Sequence, residues 1–238
     1  MIKQRQVTDA VLLAAGRGSR LRPHTDVTPK PLLPINGRPT LDFLLQQLSH
    51  AGIRQTTLVT HHLAEQIDDY LQKQTWPIAT QTVRQHSMRG TADALLSAMP
   101  SDNPEPLLVS ATDYIVDGQF YHDFVAFHNS HDCEISVSLK QLPEHELALR
   151  SSVQVDADMN ISRIVEKPAA GEAPSSYSAN LLFVVPANFR QFLLNVKPSV
   201  RGECEVQDAI NAYLQQGGRA RGLMQVEPDE WHPDFNKA

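Results

Sequence analysis

Apolar residues in the first third of the chain recur alternately at strand and at helix spacing. A short apolar run ends at Leu13, and Thr40 precedes leucines that keep a helical period: Leu41, Leu44, Leu45 and Leu48. Threonine before the first leucine is typical of a helix N-terminus. Gly52 follows where such a helix would end, because glycine readily adopts the conformation that closes a helix. The pattern predicts a strand followed by a helix.

The same alternation continues along the chain. Residues 56–60 have the composition of a buried strand, and the next apolar residues lie on one helical face: Ile67, Tyr70 and Leu71. A further strand ends near Val83, and another helical face follows it: Ala92, Leu95, Leu96 and Met99. Strands that alternate with helices predict an α/β fold with a mostly parallel sheet covered by helices. In such folds, ligands bind at the carboxyl ends of the strands.

The second half of the chain carries more strand patterns than helix patterns. Apolar or alternating stretches predict strands over residues 106–113, 134–139, 152–156, 161–165 and 177–185. Helical spacing returns over residues 120–127, and a last apolar face precedes two glycines that end its helix: Val206, Ile210, Tyr213, Leu214, then Gly217 and Gly218. A chain of 238 residues could form one large α/β domain or two small ones, and it is long enough to bury a core.

Composition and charge exclude several classes of protein. Hydrophobic residues make up 41% and charged residues 20% of the chain, which is typical of a soluble globular protein and argues against disorder or a fibrous repeat. No apolar run reaches the length that spans a bilayer, so we expect a cytosolic (cytoplasmic) protein without a membrane partner. Cys133 and Cys204 lie far apart, and we expect both to be reduced. A net charge of -6 argues against a nucleic-acid partner and confines any basic site to a local patch.

One such local patch follows the first predicted strand. The strand leads into small residues and two glycines: Leu13, Ala14, Ala15, Gly16, Arg17, Gly18 and Ser19. A glycine-rich turn after a strand lets backbone N–H groups approach a phosphate, while Arg20 offers forked contacts and Lys30 a point charge. The pattern lacks the third glycine of the dinucleotide fingerprint, since Leu21 stands there. By itself it also fits a tight turn with solvated cations.

Longer motifs carry a resemblance to a known family. The stretch L-A-A-G-R-G-S-R-L-R-P over residues 13–23 and T-P-K-P-L-L-P over residues 28–34 resemble the signature of sugar-1-phosphate nucleotidyltransferases. An E-K-P tripeptide at residues 166–168 resembles a second hallmark of that family. Residues 197–208 resemble the K-P-S-x-R-G-E-x-E-x-x-D stretch of bacterial glucose-1-phosphate thymidylyltransferases. The resemblance implies a Rossmann-like three-layer sandwich with a mostly parallel mixed sheet, of the nucleotide-diphospho-sugar transferase type.

The resemblance also implies how the chain divides and where a nucleotide binds. We interpret residues 1–238 as one domain, with a nucleotide-binding half at about 1–115 and a sugar-phosphate-binding half at about 116–238. The glycine-rich turn would hold the phosphates. Gln85 and Gly90 resemble the glutamine and glycine that read the nucleobase in the family, and Thr91 follows in the same turn. A glutamine amide both donates and accepts, which suits the imide edge of uracil or thymine.

Other residues fall at the family's metal and sugar positions. Asp113, at the end of a predicted strand, lies where the family has the aspartate that binds the catalytic Mg²⁺. Asp234 resembles the second Mg²⁺ carboxylate of a W-x-D motif, although one extra residue separates it from Trp231. Sugar-phosphate contacts are implied for three residues: Glu166 on sugar hydroxyls, Lys167 on the sugar phosphate, and Asn180 beside the sugar. Glu203 and Asp208, within the third motif, are interpreted as local structural contacts.

The implied reaction is attack of a sugar 1-phosphate on the α-phosphorus of a nucleoside triphosphate, with release of pyrophosphate. Arg20 and Lys30 would act as the catalytic residues by neutralising the triphosphate, and Mg²⁺ would be the cofactor. UTP is favoured and dTTP comes next, because the chain stops four residues after Asp234 and resembles a compact uridylyltransferase. Arg150 stands where relatives often have tyrosine, so the acceptor could be anionic and glucose 1-phosphate is not assured.

Two other functions stay open at this point. One is a cytidylyltransferase for a phosphorylated alcohol, or a molybdopterin nucleotidyltransferase, since both share a similar glycine loop. The E-K-P tripeptide at residues 166–168 and the stretch at residues 201–203 argue against these two. The other is a nucleotide-sugar-binding regulatory protein without catalysis, which the altered spacing before Asp234 keeps open. The sequence also leaves open whether the chain forms a homo-oligomer.

Overall fold

The computed structural model of the chain describes residues 6–101, 105–116 and 118–225. Its strands are β1 (Asp9–Leu13), β2 (Pro34–Ile35), β3 (Arg38–Pro39), β4 (Gln55–Thr60), β5 (Ala79–Arg84), β6 (Leu107–Ala111), β7 (Ile135–Gln141), β8 (Ser151–Val155), β9 (Asn160–Glu166), β10 (Tyr177–Val185) and β11 (Ala220–Met224). Its α-helices are α1 (His24–Val27), α2 (Thr40–His50), α3 (Ala64–Gln72), α4 (Thr91–Ala98), α5 (Gly118–Ser130), α6 (Glu144–Leu147), α7 (Arg190–Leu193) and α8 (Val206–Gln215). Short 3-10 turns lie at Ser19–Leu21, Lys30–Leu32 and Ala187–Phe189.

Nine of the described strands form one sheet, in the order β5-β4-β1-β6-β10-β7-β11-β9-β8. Only β10 and β9 run antiparallel to both of their neighbours, so the other seven strands of this sheet share one direction. The carboxyl ends of β1, β4, β5 and β6 therefore meet at one edge. Strands β2 and β3 form a separate small hairpin. The mostly parallel mixed sheet predicted from the sequence is confirmed.

The hydrophobic core is divided between the two faces of the sheet. Val11 of β1 and Phe183 of β10 belong to one cluster, which includes apolar residues of α4, α7 and α8. Leu12 and Leu182, the neighbours of those residues along the strands, belong to the other cluster, which includes residues of α2, α3 and α5. Successive strand residues point to opposite faces, so strands that are apolar throughout can fill both clusters. Helices thus cover both faces, and the predicted three-layer sandwich is confirmed.

The predicted elements agree with the observed ones within a few residues. The strand predicted at 177–185 coincides with β10, whereas α5 begins at Gly118, two residues before the predicted start. Helix α2 contains Thr40 as its first residue, and Pro39 precedes it as the capping residue. The sequence analysis did not predict β11, the β2–β3 hairpin or the four-residue helices α1, α6 and α7.

Strand β10 joins the two halves of the chain. It lies between β6 and β7 and pairs antiparallel with both of them. A bulge shifts its register against β7 between Ala179 and Phe183. The residues before 116 and those after it therefore contribute to one continuous sheet. Within the described ranges, no helix is both long and apolar enough to cross a membrane.

Candidate active site

The glycine-rich turn crosses the carboxyl edge of the sheet directly after β1. Gly18 has a positive φ of 62°, and a Cβ atom on it would lie 2.8 Å from Cγ2 of Thr25. Buried Thr25 supports the turn, because its hydroxyl donates a 2.9 Å hydrogen bond to the Gly18 carbonyl oxygen. His62, after β4, has Nε2 2.8 Å from the Thr25 carbonyl oxygen. The turn is thus held in one conformation by residues beneath it.

Two residues of opposite charge face each other beside this turn. Lys30 lies in the 3-10 turn at Lys30–Leu32, and its Nζ forms an ion pair with the Asp113 carboxylate, two residues after β6. Both belong to the wall of a cavity of about 450 Å³, together with Leu13, Ala14, Gly16, Gly18, Ser19, Arg20, Leu21, Thr91, Thr112 and Glu203. The structure therefore brings both predicted cations, most of the glycine turn and the predicted metal ligand Asp113 to one cavity.

A second cavity, of about 250 Å³, adjoins the first. Its wall contains Leu13, Ala15, Gly16, Gln85, Met88, Gly90, Thr91, Ala94, Leu181, Glu203 and Glu205. The two cavities share four residues, namely Leu13, Gly16, Thr91 and Glu203. The two cavities therefore lie side by side along the carboxyl ends of β1, β5 and β6, and together they are called the groove.

The Gln85 side chain is fixed inside this second cavity. It is only 3% exposed, and its Nε2 donates a 2.8 Å hydrogen bond to Oδ2 of Asp93 on α4. Asp93 is in turn held by Arg89 through Oδ1 at 2.6 Å. A carboxylate accepts hydrogen bonds and does not donate them, so this contact orients the Gln85 amide with its nitrogen toward Asp93. The His61 ring contacts the main chain of the same residue, because its Nδ1 lies 2.7 Å from the backbone carbonyl oxygen of Gln85.

The loop before α4 packs against the chain that leads into α8. Gly90 has φ 107°, and a Cβ atom on it would lie 2.5 Å from the Cys204 carbonyl oxygen. The Ala92 amide donates a 2.9 Å hydrogen bond to that oxygen, and the Cys204 amide donates a 2.6 Å bond to the Arg89 carbonyl. Only glycine fits at position 90 while these backbone segments stay in contact.

Glu166 and Lys167 lie at the end of β9, close to the start of α8. Gln207 on α8 donates from Nε2 to Oε2 of Glu166 at 3.3 Å. Burial, and then the negative charge of Glu205, raise the pKa of Glu166 to about 7, although Lys167 and Arg201 act in the opposite direction. Neither Glu166 nor Lys167 is part of the wall of the two cavities.

Asn180 occupies the bulge of β10 and takes part in a polar network. Its Nδ2 lies 3.1 Å from each of three acceptors: Tyr114 Oη, Ser138 Oγ and Gln225 Oε1. The next residue, Leu181, is part of the wall of the smaller cavity. Arg17 contributes to neither cavity wall, and Asp234 and Trp231 lie outside the described residues.

Some groove residues were not predicted as site residues. Glu203 faces both cavities and Glu205 faces the smaller one, although the sequence analysis interpreted Glu203 as a structural contact and gave Glu205 no role. Two acidic residues in an E-x-E spacing before an amphipathic helix were the available signal. The spacing could not reveal the groove, because the facing residues of the glycine turn and of α4 lie more than 100 positions earlier in the chain.

Comparison with known proteins agrees with this geometry. A family model described as "Nucleotidyl transferase" matches residues 9–232. A glucose-1-phosphate adenylyltransferase of Rhodospirillum rubrum is 29% identical over 204 residues, covering 76% of this chain and 48% of the relative. A UTP–glucose-1-phosphate uridylyltransferase of Mycoplasma pneumoniae is 26% identical over 242 residues, covering 89% and 83%. The chain spans about half the length of the first curated relatives it matches.

A solved structure shows the same fold along nearly the whole chain. The UDP-glucose pyrophosphorylase from Acinetobacter baumannii superposes with a TM-score of 0.81 at 25% identity, covering 94% of this chain and 87% of that structure. The family match spans both the glycine turn and the α8 region, which are the two sides of the groove. The chain therefore belongs to the nucleotidyl transferase family, in which the proteins similar to it are sugar-1-phosphate nucleotidyltransferases.

Proposed function

We propose that this protein transfers a nucleotidyl group from UTP or dTTP to a sugar 1-phosphate and releases pyrophosphate. The observation that carries the proposal is the groove formed by the two adjoining cavities. One end holds a buried, oriented glutamine amide, and the other holds Arg20, Lys30 and Asp113 beside a glycine turn. A nucleoside triphosphate has the same order of groups, with a hydrogen-bonding base at one end and an anionic chain at the other.

The base end favours uracil or thymine. Because the nitrogen of the Gln85 amide donates to Asp93, its oxygen is the atom that would accept from a base. Uracil and thymine carry an imino N–H that donates to such an oxygen, whereas cytosine and adenine have a lone pair at the corresponding ring nitrogen. Guanine also carries an imino N–H, so GTP is the nucleotide that the test below must separate from UTP and dTTP. Leu13 and Ala15 provide an apolar wall for the flat ring.

The phosphate end supplies charge and position. Arg20 and Lys30 would neutralise the triphosphate, and the N–H groups of the glycine turn would fix its oxygens. Lys167 would hold the sugar phosphate so that one of its oxygens approaches the α-phosphorus. That oxygen forms the new P–O bond while the bond from the α-phosphorus to the pyrophosphate oxygen breaks. A sugar phosphate is already ionised near neutral pH, so the step requires orientation rather than a general base.

Asp113 fits the role of a Mg²⁺ ligand. Its carboxylate is 42% exposed in the wall of the larger cavity, and Mg²⁺ is commonly bound by one or two carboxylates together with substrate phosphates. No group of three potential metal ligands occurs among the described residues, so substrate oxygens and water would complete the coordination. Asp234 is proposed as the second carboxylate. Bound Mg²⁺ would neutralise charge on the reacting phosphates.

The test is pyrophosphate release with UTP, dTTP, CTP, GTP and ATP against a panel of sugar 1-phosphates, in Mg²⁺ and in chelator. We expect metal-dependent turnover with UTP or dTTP. Nucleotide binding without turnover of any pair would instead support a regulatory protein. Turnover only of CTP with a phosphorylated alcohol would support a cytidylyltransferase.

A further inference from the structure

Glu205 is a buried carboxylate between the two sides of the groove. It immediately precedes α8, is 7% exposed and contributes to the wall of the smaller cavity. Its Oε2 accepts a 3.1 Å hydrogen bond from the Thr91 hydroxyl, and its Oε1 accepts a 3.2 Å bond from Nη2 of Arg201. A buried charge is tolerated only with such partners, so these contacts fix the position of Glu205.

Thr91 connects Glu205 to the nucleotide-binding loop. Its hydroxyl donates to Glu205 and accepts a 3.0 Å hydrogen bond from the Val206 amide. Thr91 is the first residue of α4 and Val206 the first residue of α8, so one hydroxyl joins the N-termini of two helices. A carboxylate at helix N-termini is electrostatically favourable, because those ends carry partial positive charge. The start of α8 and the loop beside Gln85 are thus joined by direct hydrogen bonds.

The start of α8, directly after Glu205, contacts one of the proposed sugar-phosphate residues. Gln207, in the first turn of α8, is 6% exposed and donates to Glu166. The charged groups near Glu166 are Glu205, Lys167, Arg201 and Asp208. Among them, Glu205 is the acidic group with the largest influence on the ionisation of Glu166. Glu205 thus contacts Thr91, at the start of α4, directly. It acts on Glu166 through its negative charge and through Gln207 at the start of α8.

We propose that Glu205 is a positioning residue that holds the nucleotide-binding loop and the sugar-phosphate-binding residues in one fixed relative arrangement. This inference rests on the proposed function. It assigns no bond making or breaking to Glu205. It implies that a single change at position 205 weakens the binding of both substrates, although Glu205 reacts with neither.

The first test is Glu205→Gln, which keeps the size of the side chain and an acceptor for Thr91 but removes the charge. We expect the KM values for the nucleotide and for the sugar phosphate both to rise roughly tenfold, as for loss of a charged hydrogen bond. The midpoint in the pH dependence of the sugar-phosphate KM should also shift downward, because the negative charge that raises the pKa of Glu166 is gone. Glu134→Gln, which alters an exposed ion pair with Arg219, is the control and should change none of these values.

The second test compares Thr91→Val with Thr91→Ser. Serine keeps the hydroxyl that joins Glu205 to Val206, so its KM values should rise less than those of the valine variant. Valine removes the hydroxyl, and its effect should be non-additive with that of Glu205→Gln, since both act through one contact. Additive effects of the two variants would overturn the inference. So would a change in only one KM, or a lower Tm with an unshifted pH midpoint.

The inference and the proposed function fail in distinguishable ways. If the wild-type protein turns over no substrate pair, the proposed function fails. The effect of Glu205 on Glu166 and on nucleotide binding is then measured without catalysis. Carboxyl ¹³C NMR of the ligand-free protein would follow the titration of Glu166, and calorimetry would follow UTP binding. If Glu205→Gln leaves the Glu166 titration and the UTP affinity unchanged, the inference is wrong whether or not the protein is an enzyme.

Discussion

At the scale of single residues, the ion pair between Lys30 and Asp113 orients both side chains, and little free energy is needed to break it. The Lys30 side chain is 23% exposed and that of Asp113 is 42% exposed, and ion pairs this accessible to water contribute little to stability. The pair orients each side chain before a substrate arrives. Because the pair is weak, each side chain can exchange its partner at little cost, Lys30 for a phosphate and Asp113 for a cation.

Asp113→Asn tests this arrangement at its most exposed member. The amide keeps the shape of the side chain but loses the charge that would bind Mg²⁺ and pair with Lys30. We expect kcat for pyrophosphate release to fall by roughly 100-fold or more, with little change in the free energy of unfolding. Asp69→Asn, at an exposed position of α3, is the matched control. Equal activities of the two variants would contradict the role of Asp113.

The raised pKa of Glu166 predicts a pH dependence of stability. This pKa is about 7 in the folded protein, against 4.5 for an ordinary glutamate, so the folded state binds more protons than the unfolded state between those values. The free energy of unfolding of the wild type, relative to that of Glu166→Gln, should therefore decrease as pH rises from 4.5 to 7. We expect a difference of roughly 2 kcal/mol, measured by urea denaturation across this range. A difference that stays constant with pH would contradict the assignment.

At the scale of elements, the groove depends on the loop before α4 meeting the chain before α8. Gly90→Ala would place a methyl group against the Cys204 carbonyl and force the two segments apart. We expect it to lower the free energy of unfolding by roughly 3 kcal/mol and to weaken UTP binding, as measured by denaturation and calorimetry.

Gly171→Ala separates the effect of the close contact with Cys204 from the effect of backbone strain. Gly171 also has a positive φ, of 80°, but no atom lies within 4 Å of the position its Cβ would take. Its substitution should cost roughly 1 kcal/mol and leave UTP binding unchanged. Similar losses at both glycines would mean that contact with Cys204 is not the cause.

The sequence predicted those elements whose buried faces repeat regularly. Strand β10 and helix α2 carry long apolar patterns and were located within a few residues. Strand β11 contains two polar or glycine positions in five residues, so its pattern lacked a strand signal. The β2–β3 hairpin did carry a turn signal, the Asn36-Gly37 pair, whose φ values of 50° and 78° fit a tight turn. The sequence analysis did not use this signal.

The groove as a whole could not be predicted, for a different reason. Motifs identified the side chains of the glycine turn and the Gln85 region, because those residues are close together in the sequence. They could not show that Glu205 meets Thr91, since the two are 114 positions apart and neither pattern specifies its partner. Local periodicity determines an element, whereas its neighbours depend on how the whole core packs.

At the scale of the whole molecule, the sheet crosses the boundary between the two proposed halves. Phe183 of β10 is fully buried and packs in the same cluster as Val109 of β6 and Val137 of β7. Neither half can open without exposing this strand. We therefore propose that the described chain behaves as one cooperative unit.

Hydrogen exchange tests that cooperativity. The slowest amides of β1 and of β7 should open with free energies that agree within about 0.5 kcal/mol. Phe183→Ala should lower both values together, by roughly 3 to 5 kcal/mol. Half-buried Phe127 on α5 is the comparison, because its replacement by alanine should cost clearly less. If the variant at 183 destabilised only one half, the chain would consist of two separate folding units.

The position of β10 also has a consequence for synthesis on the ribosome. Strands β1, β4, β5 and β6 are complete once residue 111 has been made, but the free side of β6 has its partner only after residues 177–185 emerge. During that interval the nascent chain carries an apolar strand with unpaired N–H and C=O groups along its edge. Such an edge can pair with other chains. We therefore expect nascent chains stalled before residue 177 to aggregate more readily than complete chains.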